Sequence, residues 1–227
     1  MSFNTLTGVT NGKFIIFEGI NGSGKTTIIN ILIDYYTKHN IKFKYIKFPN
    51  RTTESGIIID KFLKKQYEFN SIQEQIKIFA DNRKESESEI KNYLNDGNIV
   101  LCDRYLYSNL AYILTDISLD LQLNKYFHSS ILSINDILKY DNGLLKPDFV
   151  FLINGDHINL RNDSIKERYH NDSIKNALIF NNYLISFNHT NSSYYIVNNI
   201  LDQLKNTTDS IINKINNISN TDKFEHF

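Results

Sequence analysis

Residues 14–26 read Phe-Ile-Ile-Phe-Glu-Gly-Ile-Asn-Gly-Ser-Gly-Lys-Thr, and this stretch limits the available folds more than any other. Four consecutive apolar residues suit a strand buried on both faces. Apolar residues return at helical spacing from Ile28 to Tyr36. Between the two, Gly19-x-x-x-x-Gly24-Lys25-Thr26 has the spacing of a phosphate-binding loop joining strand to helix. Such a loop turns successive backbone N–H groups onto phosphate oxygens, and residues without a Cβ let the chain double back that tightly. The helix that follows points its positive end at the same anion. Lys25 then reaches the β- and γ-phosphates, and the Thr26 hydroxyl ligates Mg²⁺. A chance glycine-rich turn would not need both flanks. Here both are present, and the segment predicts a bound nucleoside triphosphate.

With 227 residues, the chain is long enough for one α/β domain with a sizeable core and short of two. Lys and Arg number 25, as do Asp and Glu, and no basic block stands out. That balance favours small nucleotides over a nucleic acid polymer as partner. The lone Cys102 excludes an internal disulfide and suits a reducing, cytoplasmic setting. At the end of an apolar run it reads as a buried structural thiol. No apolar stretch is long enough to span a bilayer and the N-terminus lacks a signal-peptide pattern, so a soluble protein off the membrane is expected.

Residues 1–12 read as a loose lead-in, and 43–48 as a second strand stopped by Pro49, which cannot donate to a sheet ladder. Asn50-Arg51-Thr52-Thr53 would sit at the strand's carboxyl end, where open α/β sheets bind ligands. A helix is expected over 55–65. Ser71-Ile72-Gln73-Glu74 has the pattern of a capping box opening a helix to about Asn95, ended by Gly97. Phe79 and Arg83, four apart on it, share a face. On their own they fit a core aromatic beside a solvated charge better than a binding pair. Residues 98–102 form a third strand that runs into Asp103-Arg104-Tyr105. An acid there can organise Mg²⁺ or its waters and the arginine can fork onto phosphates, although a structural ion pair fits too. Helices follow over 106–140, with Tyr112 near their start. A strand at 149–153 leads to a polar stretch, about 154–172, that holds Arg161, Arg168 and Tyr169 and reads as a lid or an ordinary loop. A helix over 173–187, a strand over 194–197, a closing helix to about 215 and a frayed tail complete the chain. Strands alternating with helices predict a three-layer α/β fold: a central parallel sheet of about five strands, right-handed crossovers, one domain over 1–227.

Taken in order, Phe17-Glu18-Gly19, Phe48-Pro49-Asn50-Arg51, Phe79-Ala80-Asp81-Asn82-Arg83, Asp103-Arg104-Tyr105, Leu145-Lys146-Pro147-Asp148 and Glu167-Arg168-Tyr169 together resemble thymidylate kinase. The resemblance is closest to the eukaryotic and poxvirus-like branch and runs over roughly residues 13–200. It implies γ-phosphoryl transfer from ATP to dTMP, giving dTDP and ADP, with Mg²⁺ as cofactor and a symmetric homodimer. Gly19, Asn21, Gly22, Ser23, Gly24, Lys25, Thr26 and Thr27 become the ATP-binding loop, and Thr26 with Asp103 the metal-holding pair. On the acceptor side Phe48 and Asn82 line the site, Arg51 clamps the 5′-phosphate and Phe79 stacks on thymine. Arg83 donates to the thymine 4-oxygen. Cytosine presents an amino donor there, so a buried guanidinium would go unpaired. Tyr105 and Tyr112 wall the sugar against a 2′-hydroxyl, and Ser108 and Tyr169 complete the pocket. Lys25 and Arg104 supply positive charge, and Asp103 holds the arginines or the metal's water.

Two positions depart from the family pattern. Asn21 stands where the family usually has an acid touching the sugar 3′-hydroxyl, and it can accept a hydrogen bond but carries no charge. Gly22 follows where some members place an arginine, which leaves the transition-state arginine to Arg161 or Arg168 of the lid. Three alternatives compete. A broader deoxynucleoside monophosphate kinase accepting dUMP shares every motif. A nucleoside kinase needs a base near the sugar, whereas Arg51 argues for an acceptor already phosphorylated. A GTPase-type switch needs Asp-x-x-Gly and Asn-Lys-x-Asp elements, and neither occurs.

Overall fold

The computed structural model describes residues 12–122, 132–155, 173–218 and 226–227. Five strands form one parallel sheet in the order β2-β3-β1-β4-β5. They are β1 (Lys13–Glu18), β2 (Phe43–Lys47), β3 (Ile99–Asp103), β4 (Phe149–Asn154) and β5 (Tyr194–Asn198). All five fall where the sequence predicts them. β1 lies at the centre, and every residue from Phe14 to Glu18 is buried, as its unbroken apolar run requires.

The pleat sends alternate side chains to opposite faces, so the sheet carries two cores. Phe14, Ile16, Val100, Cys102 and Leu152 pack on one face against Leu94, Tyr107, Ile179 and Phe187. Ile15, Phe17, Leu101, Phe151 and Ile153 pack on the other against Ile28, Leu32, Ile211 and Ile215. The first face is covered by α4 (Glu87–Asn95), α5 (Leu106–Gln122) and α7 (Ser173–His189). The second is covered by α1 (Lys25–Lys38) and α8 (Leu204–Asn216).

The register brings Phe17, Lys47 and Asp103 level, so the loops after β1, β2 and β3 leave the sheet side by side. The chain visits β2 and β3 on one side of β1, then crosses to β4 and β5. That reversal opens a crevice at the carboxyl ends of β1 and β3, the place where such sheets bind ligands.

The long helix expected over residues 71–95 is two, α3 (Ile72–Lys84) and α4, parted at Glu85–Ser86. The halves serve different cores: Ile76 joins Leu110 and Ile113, while Ile90 and Leu94 lie under β1 and β3. One straight apolar stripe could not reach both. Only half of the expected capping box forms. Ser71 Oγ accepts from Glu74 N, but the Glu74 carboxylate accepts from Asn70 N, one residue further out. Before α3 comes α2 (Glu54–Leu63), and beyond α5 come α6 (Ile134–Leu138) and a 3-10 turn Lys139–Asp141.

The expected frayed end is not loose at its last residue. Phe227 N donates to Leu144 O at 3.0 Å, Gly143 N donates to Phe227 O at 3.1 Å, and the Phe227 ring meets Tyr107. The expected lid lies almost wholly outside the described residues, with Arg161, Arg168 and Tyr169. No helix among the described residues is long and apolar enough to cross a membrane.

Cys102 is buried beneath the crevice and its thiol donates to Arg104 O. Burial first, then the nearby Glu18 and Asp103 carboxylates, push its pKa well above the ordinary thiol value. Native protein at pH 8 is therefore expected to react with a disulfide reagent such as DTNB only slowly. Full release of one thiolate should require denaturant, as absorbance would record.

Candidate active site

The phosphate loop closes on itself through its lysine. Gly19 has φ +141° and its position admits no side chain, because a Cβ would stand 2.4 Å from Ile153 O. The buried Lys25 ammonium donates to Gly19 O at 2.8 Å, Ile20 O at 2.7 Å and Ser23 Oγ at 3.3 Å. Its three donors are thus filled by the loop's own oxygens. Burial first and the Arg104 guanidinium second hold its pKa well below the ordinary lysine value. An arriving phosphate anion would relieve both costs.

Glu18, the last residue of β1, is fully buried and ties this loop to the one after β3. Its Oε1 accepts from Tyr105 N at 2.8 Å and Ser108 N at 3.1 Å, and its Oε2 from the Ser108 hydroxyl. It therefore serves as the anionic cap of α5. The Phe17-Glu18-Gly19 motif alone gives Glu18 no role. The available signal was an acid inside an otherwise unbroken buried strand.

Arg104 occupies the left-handed region, φ +72°, and turns back over the phosphate loop. Nη1 donates to Gly19 O at 3.1 Å, Ser108 Oγ at 3.0 Å and Tyr183 OH at 3.2 Å, and Nη2 donates to Asn21 Oδ1 at 2.6 Å. Its guanidinium carbon lies 5.8 Å from the centre of the Tyr112 ring. Arg104, Asn21, Ser108 and Tyr112 therefore form one cluster, and the uncharged Asn21 still engages the arginine.

Asp103 is 2% exposed, and its Oδ1 is buried without a hydrogen-bond partner among the described residues. Its Oδ2 has only long contacts, 3.5 Å to Tyr45 OH and 3.5 Å to Lys47 Nζ. No group of three or more His, Cys, Asp or Glu among the described residues could hold a metal ion. The donor set instead suits Mg²⁺, which keeps several waters and binds through one or two protein oxygens plus substrate phosphates. An orphaned carboxylate oxygen at Asp103 and an exposed hydroxyl at Thr26, opening α1, fit that ion.

The residues expected on the acceptor side lie on the turn after β2 and on α3. Phe48 is buried, its ring 5.9 Å from that of Tyr105. Asn82 is committed to the turn: it accepts from Asn50 N at 2.8 Å and donates to Asn50 O at 3.0 Å and Thr53 Oγ1 at 2.8 Å. Its amide thus shapes the segment that carries Arg51. Arg51 is exposed and donates to Asp60 at 2.7 Å. Phe79 is half-buried on α3, its ring edge-on to Phe62 of α2. Arg83, one turn further along α3, is held in a buried pair with Asp141. Tyr105, its ring beside that of Phe48 and its N–H bound to Glu18, links these residues to the phosphate loop.

A family model described as thymidylate kinase matches residues 17–211, most of the chain. The chain belongs to the thymidylate kinase family. Among curated members of the family, the Plasmodium falciparum thymidylate kinase is 41% identical over 143 residues, 63% of this chain and 61% of that protein. The Schizosaccharomyces pombe thymidylate kinase is 32% identical over 145 residues, 64% of this chain and 62% of that one. In these matches the chain spans about three fifths of its curated relatives' length. A thymidylate kinase structure from Candida albicans superposes with TM-score 0.73 at 28% identity, covering 96% of this chain and 98% of that one. One from Ehrlichia chaffeensis gives 0.62 at 21% identity, over 91% and 99%, and shares the fold.

Gly56, in the first turn of α2, was not singled out from the sequence. A Cβ there would stand 1.8 Å from Asn50 O, so the turn bearing Arg51 must shift to admit one. In this thymidylate kinase-family chain Gly56→Ala is expected to cost roughly 1–3 kcal/mol of stability. That corresponds to about 2–4 °C in Tm per kcal/mol at this size, measurable by thermal unfolding.

Proposed function

We propose that the protein transfers the γ-phosphoryl group of ATP to the 5′-phosphate of dTMP, forming dTDP and ADP. The observation that carries the reading is the link between two clusters: Tyr105, whose N–H is bound to Glu18 beside the Lys25–Arg104–Asn21 cradle, packs its ring near Phe48, at the turn that bears Arg51 and close to the helix that bears Arg83. One phosphorylated nucleotide fills each.

In the reaction an oxygen of the dTMP phosphate attacks the γ-phosphorus while the bond to the β,γ-bridging oxygen breaks. ADP carries away that electron pair. No base is needed, because the acceptor phosphate is already ionised. Catalysis is then positioning and electrostatic stabilisation. Lys25 exchanges the loop carbonyls for β- and γ-oxygens, and Arg104 stands between the two phosphates. Arg51 exchanges Asp60 for the acceptor phosphate, and Phe79 and Arg83 hold the base. Tyr105, Tyr112, Ser108 and Asn21 surround the sugar. Thr26 and Asp103, the latter through water, would hold Mg²⁺, which when bound neutralises charge across the β- and γ-phosphates. A homodimer and a cytoplasmic setting accompany this reading. The family resemblance supports the first, and the lone buried thiol suits the second.

A second reading, wider base or sugar tolerance, is favoured by Asn21 in place of the family acid. The related Candida albicans enzyme is described as having broad substrate specificity. Purified protein with ATP, Mg²⁺ and a panel of nucleoside monophosphates separates the two. Conversion of dTMP well ahead of dUMP and dCMP is expected. Phosphorylation of thymidine with none of dTMP overturns the assignment. Lys25→Met should lower kcat by about 10²–10³-fold while the fold survives, as circular dichroism would check.

The arginine absent from the loop at Gly22 is assigned to the lid, from Arg161 or Arg168. Changing each to Ala should lower kcat more than KM for one of them, in single-turnover kinetics. A variant with unchanged kcat removes that residue from the role.

A further inference from the structure

Asp141 lies outside every motif that marks the family, at the end of the 3-10 turn Lys139–Asp141. It is 1% exposed, and its single oxygen Oδ1 accepts from both Arg83 Nε, at 2.9 Å, and Arg83 Nη2, at 2.6 Å. Two bonds to one atom fix the rotation of a planar guanidinium that otherwise hangs on a flexible stem. The opposite edge, with Nη1, makes no hydrogen bond among the described residues.

Asp141 is itself held. Leu144 N donates to Asp141 O at 3.1 Å, Leu145 O accepts from Tyr105 OH at 3.1 Å, and Gly143 and Leu144 pair with Phe227. Because Tyr105 N is bound to Glu18, the segment 141–145 also registers Arg83 against the phosphate cradle. A buried ion pair is often no more stabilising than apolar residues of the same volume. Its distinctive effect here is to orient the arginine.

We infer that Asp141 is a positioning residue for base selection: it pins Arg83 so that a fixed donor edge meets the pyrimidine 4-position, accepting a 4-oxo base and rejecting a 4-amino one. The inference rests on the dTMP reading of the same site. A pinned guanidinium cannot turn away from an opposing amino group, so a cytosine base leaves both donors unpaired. A guanidinium free to swing can relieve that conflict, and it also binds thymine less well.

The test compares the wild type with Asp141→Asn and Asp141→Ala. Both remove the charge and are expected to lower Tm, but the Asn amide oxygen can still accept from Nε and Nη2. The readout is the ratio of kcat/KM for dTMP to that for dCMP, which cancels the fraction of folded enzyme in each preparation. In Asp141→Ala the ratio should fall by about tenfold or more, through a raised KM for dTMP with kcat changed less than about threefold. In Asp141→Asn most of the ratio should survive. An unchanged ratio in Asp141→Ala, or equal losses in both variants, overturns the inference. A wild type that leaves dTMP untouched overturns the functional reading instead. Should Asp141→Ala not fold, ¹⁵N NMR of the wild type decides. The Arg83 Nε–H signal, assigned by its loss in Arg83→Lys, should be sharp without ligand and shift little on adding dTMP. A signal that appears only with dTMP overturns the proposal.

Discussion

Everything at the crevice is referred to one buried carboxylate. Glu18 ends the central strand and accepts three hydrogen bonds from Tyr105 and Ser108 at the start of α5, so two loops far apart in sequence become one rigid body. A charge so completely buried is costly unless its partners are fixed, and burial indeed raises its pKa against the pull of Arg104, Ser108 and Tyr105. The α5 N-terminus, whose free N–H groups attract negative charge, supplies those partners. Phosphate loop and Asp103-Arg104-Tyr105 segment thereby keep a common frame whether or not a ligand is present.

Within that frame the cations are provisionally satisfied. Lys25 leans on Gly19 and Ile20 carbonyls, Arg104 on Asn21 and Arg51 on Asp60. Each partner is weaker than a phosphate: Lys25 and Arg104 hold neutral oxygens, and Arg51 holds an acid in a pair screened by water. Substrate binding is thus an exchange of partners in which the cations are already gathered. Little reorganisation is left for the transition state.

How much of this could be read from the sequence follows from the range of each signal. Apolar runs announced four strands, alternation over 43–48 announced β2, and Gly19 to Thr26 announced the loop, because all these patterns are local. Strand order and register are not local, so the adjacency of Phe17, Lys47 and Asp103 came only with the fold. The break at Glu85–Ser86 escaped because both halves are helical and only their targets differ. Asn82 was read as lining the nucleotide, but its amide is occupied by Asn50 and Thr53, residues about thirty positions earlier. Gly56 and Asp141 carry no local pattern at all. One matters through a carbonyl it nearly touches, the other through an arginine fifty-eight positions away.

The contrast between Arg51 and Arg83 shows how one residue type is set to two tasks. Arg51 lies at an exposed turn, bound to a part-exposed acid, so its partner can change at little cost. Arg83 is 2% exposed and its acid 1%, so parting them would leave a buried charge unmatched. The first arrangement suits an anion that arrives and leaves in every turnover. The second suits a group that must not move, since hydrogen-bond discrimination between bases depends on denying the wrong base any relaxed geometry.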